Sequence, residues 1–152
     1  MLNVYIDGAC APENPSGYAT WGMVVKRDNE YLAKLKDIVG HGLGMSNNVA
    51  EFSALIAFLE WYLKTGKLSS LGILDYEPAL IHSDSNLLVN QMNGNWKVKN
   101  GLYINHYIKA RNLINNHGLQ QKITFKWIPR EENIEADELS KRALYDIGII
   151  IK

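Results

Sequence analysis

Hydrophobic and polar positions change period several times along the chain, and each change marks an element. Residues 2–7 alternate as a short strand, and Tyr18 to Lys26 and Tyr31 to Val39 read as two more, joined by the hairpin connection Arg27-Asp28-Asn29-Glu30. Residues 11–17, rich in Pro, Asn, Ser and Gly, read as a turn. After the break Gly40-His41-Gly42-Leu43-Gly44, Ser46 or Asn47 can cap a helix running to about Lys64, with Val49, Phe52, Leu55, Ile56, Leu59 and Leu63 on the helical period. Thr65 to Tyr76 reads as irregular. Pro78 to Ser83 is a fourth strand, apolar enough to predict burial, and Leu87 to Met92 a short helix broken at Asn93-Gly94-Asn95. Leu102 to Asn116 reads as a helix ended by Gly118, and Gln121 to Ile128 as a fifth strand with Ile123, Phe125 and Trp127 alternating. Pro129 stops that strand, Glu131 to Asp146 is the last helix, and Ile147 to Ile151 is an apolar tail whose pairing the pattern leaves open.

This β-β-β-α-β-α-α-β-α order predicts an α/β fold: a mixed five-stranded sheet, made of a three-strand antiparallel meander plus parallel strands, with helices on both faces. Ligands of such sheets sit beyond the carboxyl ends of central strands. The length, 152 residues, fits one domain spanning the chain. A hydrophobic fraction of 47% and a charged fraction of 21% are those of an ordinary globular domain. No stretch approaches a bilayer span, and the N-terminus does not read as a signal peptide. The single cysteine, Cys10, excludes an internal disulfide and fits a reducing compartment. Net charge is zero, so no global field draws the chain to nucleic acid; the basic clusters at Lys97, Lys99, Lys109 and Arg111 and at Lys122, Lys126 and Arg130 read first as solvated surface.

Candidate chemistry rests on four acids. Asp7 and Asp84 end two predicted strands, while Glu51 and Asp137 lie near the starts of two predicted helices. Carboxylates gathered from different elements repel one another unless a cation or a proton joins them. Hard cations such as Mg²⁺ want oxygen ligands and share them with phosphate, so phosphoryl-transfer chemistry is the first expectation. Four unrelated surface acids are the competing reading at this point.

The residues around these acids resemble type 1 ribonuclease H. Tyr5-Ile6-Asp7-Gly8-Ala9-Cys10, followed by Asn14-Pro15, Gly17 and Trp21-Gly22, is similar to that family's opening motif. Ser46-Asn47-Asn48-Val49-Ala50-Glu51 resembles its second and His82-Ser83-Asp84-Ser85 its third. The run from Trp127 to Asp137, Trp-Ile-Pro-Arg-Glu-Glu-Asn-Ile-Glu-Ala-Asp, resembles its fourth. All four occur in the family's order and cover nearly the whole chain. The resemblance implies two-metal hydrolysis, with Mg²⁺ or Mn²⁺, of the RNA strand of an RNA/DNA hybrid, leaving 5′-phosphate and 3′-hydroxyl ends. It implies that Asp7 bridges the ions, Asp137 holds the one beside the attacking water, and Glu51 and Asp84 complete the other. It assigns reading of the RNA 2′-hydroxyl, both donor and acceptor, to backbone groups around Gly8, Ala9 and Cys10 and to the Asn47 and Ser85 side chains, more loosely to Asn14, and adds Ser46 as a substrate contact. A monomer acting in the cytoplasm is expected.

Two departures matter. Bacterial members carry a histidine in a loop before the last aspartate; this chain has none between 118 and 152, and Arg130 occupies that region. The pattern resembles the archaeal-type subgroup, some members of which also act on double-stranded RNA. The family's basic protrusion is reduced to residues 91–100, in which Trp96 between polar and lysine residues matches the position that packs on DNA sugar, with Lys97 and Lys99 available for phosphate. Trp61, Tyr62 and Trp127 are expected to be core, and His82 to be a hydrogen-bonded structural residue. A nuclease of the same fold acting on DNA, a non-catalytic hybrid-binding module and a domain detached from a reverse transcriptase stay open as alternatives.

Overall fold

In the computed structural model, residues 1–66 and 76–150 are described; the irregular stretch expected at 65–76 falls largely outside them. The elements are β1 (Leu2–Ala11), β2 (Tyr18–Arg27), β3 (Glu30–His41), α1 (Asn47–Gly66), β4 (Ala79–Ser83), α2 (Asn86–Met92), α3 (Ile104–Asn116), β5 (Ile123–Trp127) and α4 (Ile134–Asp146). They form one mixed five-stranded sheet in the order β3-β2-β1-β4-β5, antiparallel through β1, β2 and β3 and parallel from β1 to β4 to β5. No helix among the described residues is long and apolar enough to cross a membrane.

Strand alternation divides the sheet between two layers of helix. Leu2, Val4 and Ile6 of β1 and Met23 and Val25 of β2 point into the main core beneath α1, where Phe52, Leu55, Phe58, Leu59 and Tyr62 are fully buried. The opposite face of β2, at Thr20, Gly22 and Val24, lies under α4; the Thr20 hydroxyl donates to the Ser140 carbonyl at 2.7 Å. Tyr62 is buried and Trp61 packs against the core, as the helical period predicts.

Several boundaries differ from the sequence pattern. Asp7 does not end its strand: β1 continues to Ala11 because pairing with β2 persists through Ala11↔Tyr18, although pairing with β4 stops at Tyr5↔His82. The hairpin turn is shorter than expected, Asp28-Asn29, with Asp28 at φ 55°. Ser46 is the cap of α1, its Oγ accepting from Val49 N at 3.2 Å. The last helix is interrupted: Arg130–Glu132 form a 3₁₀ turn, and Asn133 turns the chain before α4 begins. The first residues of the apolar tail close α4 rather than pair as a strand: Gly148, at φ 86°, and Ile149 donate to the carbonyls of Tyr145 and Leu144.

Candidate metal centre and nucleic-acid cleft

Asp7 sits in mid-strand, and two helices close on it from opposite faces. Next to it, Gly8 faces α1 so closely that a Cβ there would lie 2.5 Å from Ala50 C and from Glu51 N. Opposite it on β2, Gly22 faces α4, where a Cβ would lie 2.4 Å from the Ala136 carbonyl. Only glycine permits either approach, and the two together bring Glu51 and the start of α4 to Asp7. Asn133, buried to 1% exposure, ties that start down: its Nδ2 donates to the Ile6 carbonyl at 2.9 Å. Its position before the last acid was part of the sequence motif, but a positioning role was not anticipated.

Asp84 lies just beyond the end of β4, two residues past the last parallel pair with β1, Tyr5↔His82, as Asp7 is on β1. Carboxylate oxygens of Asp7, Glu51 and Asp84 lie within 4.8 Å of one another. Asp7 is 4% exposed and Glu51 8%. Burial, followed by the charges of Asp84 and Asp137, pushes the Asp7 carboxyl up to about 8. Glu51 is raised well above the usual carboxylate range by burial and then by Asp7 and Asp84. Burial also raises Asp84, against the lowering effect of the Arg130 guanidinium. Glu51 Oε2 is buried with no hydrogen-bond partner. An orphaned oxygen beside two mutually repelling acids fits a cation-binding site, since a cation satisfies the oxygen and relieves the repulsion together.

Asp137 lines the same cavity, of about 680 Å³, close enough to Asp7 to raise its carboxyl, and its Oδ2 is paired with Lys141 at 2.9 Å. Lys141 itself, absent from the sequence-derived set, also lines the cavity, as do Asn48, Asn86 and Trp127.

The expected substrate contacts divide. Gly8, Ala9, Cys10, Asn47, Ser85 and Arg130 line the carboxylate cavity. The Cys10 thiol, raised by burial, donates to the Glu13 carbonyl. Ser46 and Asn14 are not on the lining; Ser46 is engaged as the α1 cap, and Asn14 Oδ1 accepts from Asn47 N at 3.0 Å. Ser85 caps α2 by accepting from Leu88 N at 3.1 Å. Trp96, Lys97 and Lys99 line a second groove of about 560 Å³ with Leu87, Gln91 and Tyr103, and Trp96 is 48% exposed. Both recesses share α2, whose first residue lines one and whose Leu87 and Gln91 line the other.

His82 behaves as expected, its Nδ1 on the Val4 carbonyl at 3.0 Å and its ring stacked on Tyr5 at 4.4 Å. Trp127 does not. It is 44% exposed, and its indole N–H donates to the Asp84 carbonyl at 3.2 Å. Alternation with Ile123 and Phe125 suggested core, but the core ends before β5 does, so the same face emerges into the cavity.

Sheet order, helix placement and clustered acids together define a ribonuclease H-like fold. The family model described as reverse transcriptase-like matches residues 5–143, and the chain belongs to that family, with type 1 ribonucleases H as its structural neighbours. The bifunctional protein Rv2228c of Mycobacterium tuberculosis is 32% identical over 145 residues, 94% of this chain and 36% of that protein, so the chain spans about a third of that relative. The structure of the N-terminal RNase H domain of Rv2228c, fused to maltose-binding protein, is 31% identical with a TM-score of 0.77, covering 95% of this chain and 94% of that one. LC11-RNase H1 in complex with RNA/DNA hybrid is 29% identical with a TM-score of 0.80, covering 97% and 99%. RNase H1 of the halophilic archaeon Halobacterium salinarum is 27% identical with a TM-score of 0.77, covering 95% and 98%.

Proposed function

We propose that the chain is an endoribonuclease dependent on Mg²⁺ or Mn²⁺ that hydrolyses the RNA strand of RNA/DNA hybrids, leaving 5′-phosphate and 3′-hydroxyl ends. The observation that carries this reading is the trio of buried Asp7 and Glu51 and half-buried Asp84, with an unpartnered oxygen on Glu51, on an open cavity. The likeness to LC11-RNase H1, seen with its hybrid, supports the substrate class. The trio would hold the cations, and Asp137 is the fourth carboxylate on the same cavity. Bound there, two such ions supply an activated water and neutralise charge on the leaving 3′-oxygen.

The chain's own residues do the positioning. Asn47, Asn48, Ser85 and Asn86 line the cavity with donors and acceptors suited to a 2′-hydroxyl. Arg130, close enough to Asp84 to lower its pKa, offers a guanidinium to a phosphate beside the acids. The groove of Trp96, Lys97 and Lys99 takes the DNA strand, with the aromatic ring against sugar and the lysines near phosphates. The protein acts as a monomer in the cytoplasm, and double-stranded RNA is a second substrate to be tested.

The test is cleavage of end-labelled RNA/DNA hybrid, RNA duplex and DNA duplex in Mg²⁺, Mn²⁺ and EDTA, with Asp84→Asn alongside. Metal-dependent cutting of RNA in the hybrid, lowered at least ~100-fold in the variant, is the expected result. Cutting of DNA duplex instead would assign a different nuclease on this fold. Hybrid binding without cutting would reject the enzyme reading.

A further inference from the structure

Trp127 combines two features that a packing residue does not need. The last backbone hydrogen bond between β4 and β5 runs from Ile128 N to the Ser83 carbonyl, and the next residue of β5's strand, Pro129, has no N–H. One residue further along β4, the Asp84 carbonyl is held instead by a side chain, the Trp127 indole N–H at 3.2 Å. Beyond the end of that ladder the backbone that carries Asp84 is held by two side-chain hydrogen bonds: Ser85 N donates to Ser83 Oγ at 3.1 Å within the turn, and the Trp127 ring ties the Asp84 carbonyl across to β5. The ring is also 44% exposed, and it lines the cavity that Asp7, Glu51 and Asp84 share. Phenylalanine would supply the same apolar face but no donor; an aliphatic residue would supply neither.

We propose that Trp127 is a positioning residue for this site: its indole N–H fixes the Asp84 backbone in the geometry that binds cations, and its open ring face is the wall on which a sugar of the cleaved RNA strand packs. This rests on the hybrid-cleaving reading for the identity of the strand, whereas the anchoring of Asp84 stands on the hydrogen bond itself. Arg130 lies three residues on, at the start of the 3₁₀ turn that follows β5, and lines the same cavity, so the wall and the guanidinium flank one stretch of strand. Sugar faces pack on exposed aromatic rings without regard to base sequence, which suits an enzyme that reads the strand's chemistry rather than its letters.

Two variants separate the roles. Trp127→Phe keeps the wall and deletes the donor; Trp127→Ala deletes both. Mn²⁺ binding is measured by calorimetry on the nucleic-acid-free protein, hybrid affinity by anisotropy in EDTA, and thermal unfolding for each variant. In Trp127→Phe, Mn²⁺ affinity is expected to fall ~3- to 10-fold, the size of one lost hydrogen bond, with hybrid affinity unchanged and the unfolding temperature lowered by ~2–4 °C. Trp127→Ala is expected to lose hybrid affinity in addition. Wild-type Mn²⁺ affinity in Trp127→Phe overturns the anchoring role, and equal hybrid affinity in the Phe and Ala variants overturns the wall. Neither readout depends on turnover. If the wild-type protein cuts nothing, the functional reading fails while a Mn²⁺ defect in Trp127→Phe still establishes the anchor.

Discussion

Asp7 concentrates the electrostatic strain of the centre in one side chain. Its carboxyl is held up to about 8 by burial and by its acidic neighbours Asp84 and Asp137, against 3.8 for an ordinary aspartate. Between those two pH values the unfolded chain has released this proton while the folded chain retains it. The folded state therefore loses stability as pH rises through that window, and loses no more above it. In EDTA, Asp7→Asn should flatten this slope and melt higher than wild type at pH 8, by ~5 °C or more, with the difference vanishing near pH 4. Melting curves across that range check it; parallel curves for the two proteins would reject the assignment. Divalent cation should remove the same slope in the wild type, since it takes the place of the proton. At this scale the sequence was informative about the acids, which stand in recognisable local motifs. It was not informative about Lys141 or Trp127, because an ion pair to Asp137 and exposure at the end of a strand are products of tertiary placement. Ser46 was legible as a candidate cap for the helix that carries Glu51, and its hydroxyl takes that place.

Elements meet at this centre only because two glycines let them. Gly8→Ala would drive a methyl group into the Ala50 and Glu51 backbone, and Gly22→Ala would drive one into the Ala136 carbonyl. Each obstacle is backbone, which cannot rotate away, so each variant should lose ~1–3 kcal/mol of stability. The two should part in chemistry: Gly8→Ala displaces Glu51 and should weaken Mn²⁺ binding, whereas Gly22→Ala displaces α4 and should leave the trio's affinity closer to wild type. Denaturant titrations with calorimetry read both effects; a Gly8→Ala protein of unchanged stability and affinity would mean that α1 moves freely on the sheet. The order and type of the elements were legible from hydrophobic period. Their ends were less so, since the length of β1 depends on a neighbour strand that outlasts its other partner, and the interruption before α4 depends on Asn133 reaching across to Ile6.

Across the whole molecule, α2 joins two recesses of different character, one lined by the clustered acids, the other aromatic and basic. A duplex laid over both would present one strand to each. On the proposed reading, Trp96→Ala should raise KM for hybrid several-fold with kcat nearly unchanged, because the groove holds the strand that is not cut. Replacing Lys97 and Lys99 together by Ala should reduce the salt dependence of hybrid binding by about 1 to 2 in log–log slope. Steady-state kinetics over a salt series measures both, and an unchanged slope would assign those lysines to bulk solvent. Five strands in mixed arrangement with helices on both faces followed from the order of periods, but the separation of the two recesses did not: Trp96 and Asp84 are twelve positions apart in sequence, and only the intervening helix shows that they belong to different walls.

The turn that closes α4 has a practical bearing. Asp137 sits in the first turn of this helix and Gly148 just past its last, so the rest of the rod carries the chain ~14 Å away from that acid before it ends. A tether, dye or solid support joined near position 150 would thus hold the molecule by its handle and leave its mouth open, whereas the usual thiol chemistry would attack Cys10 and plug it.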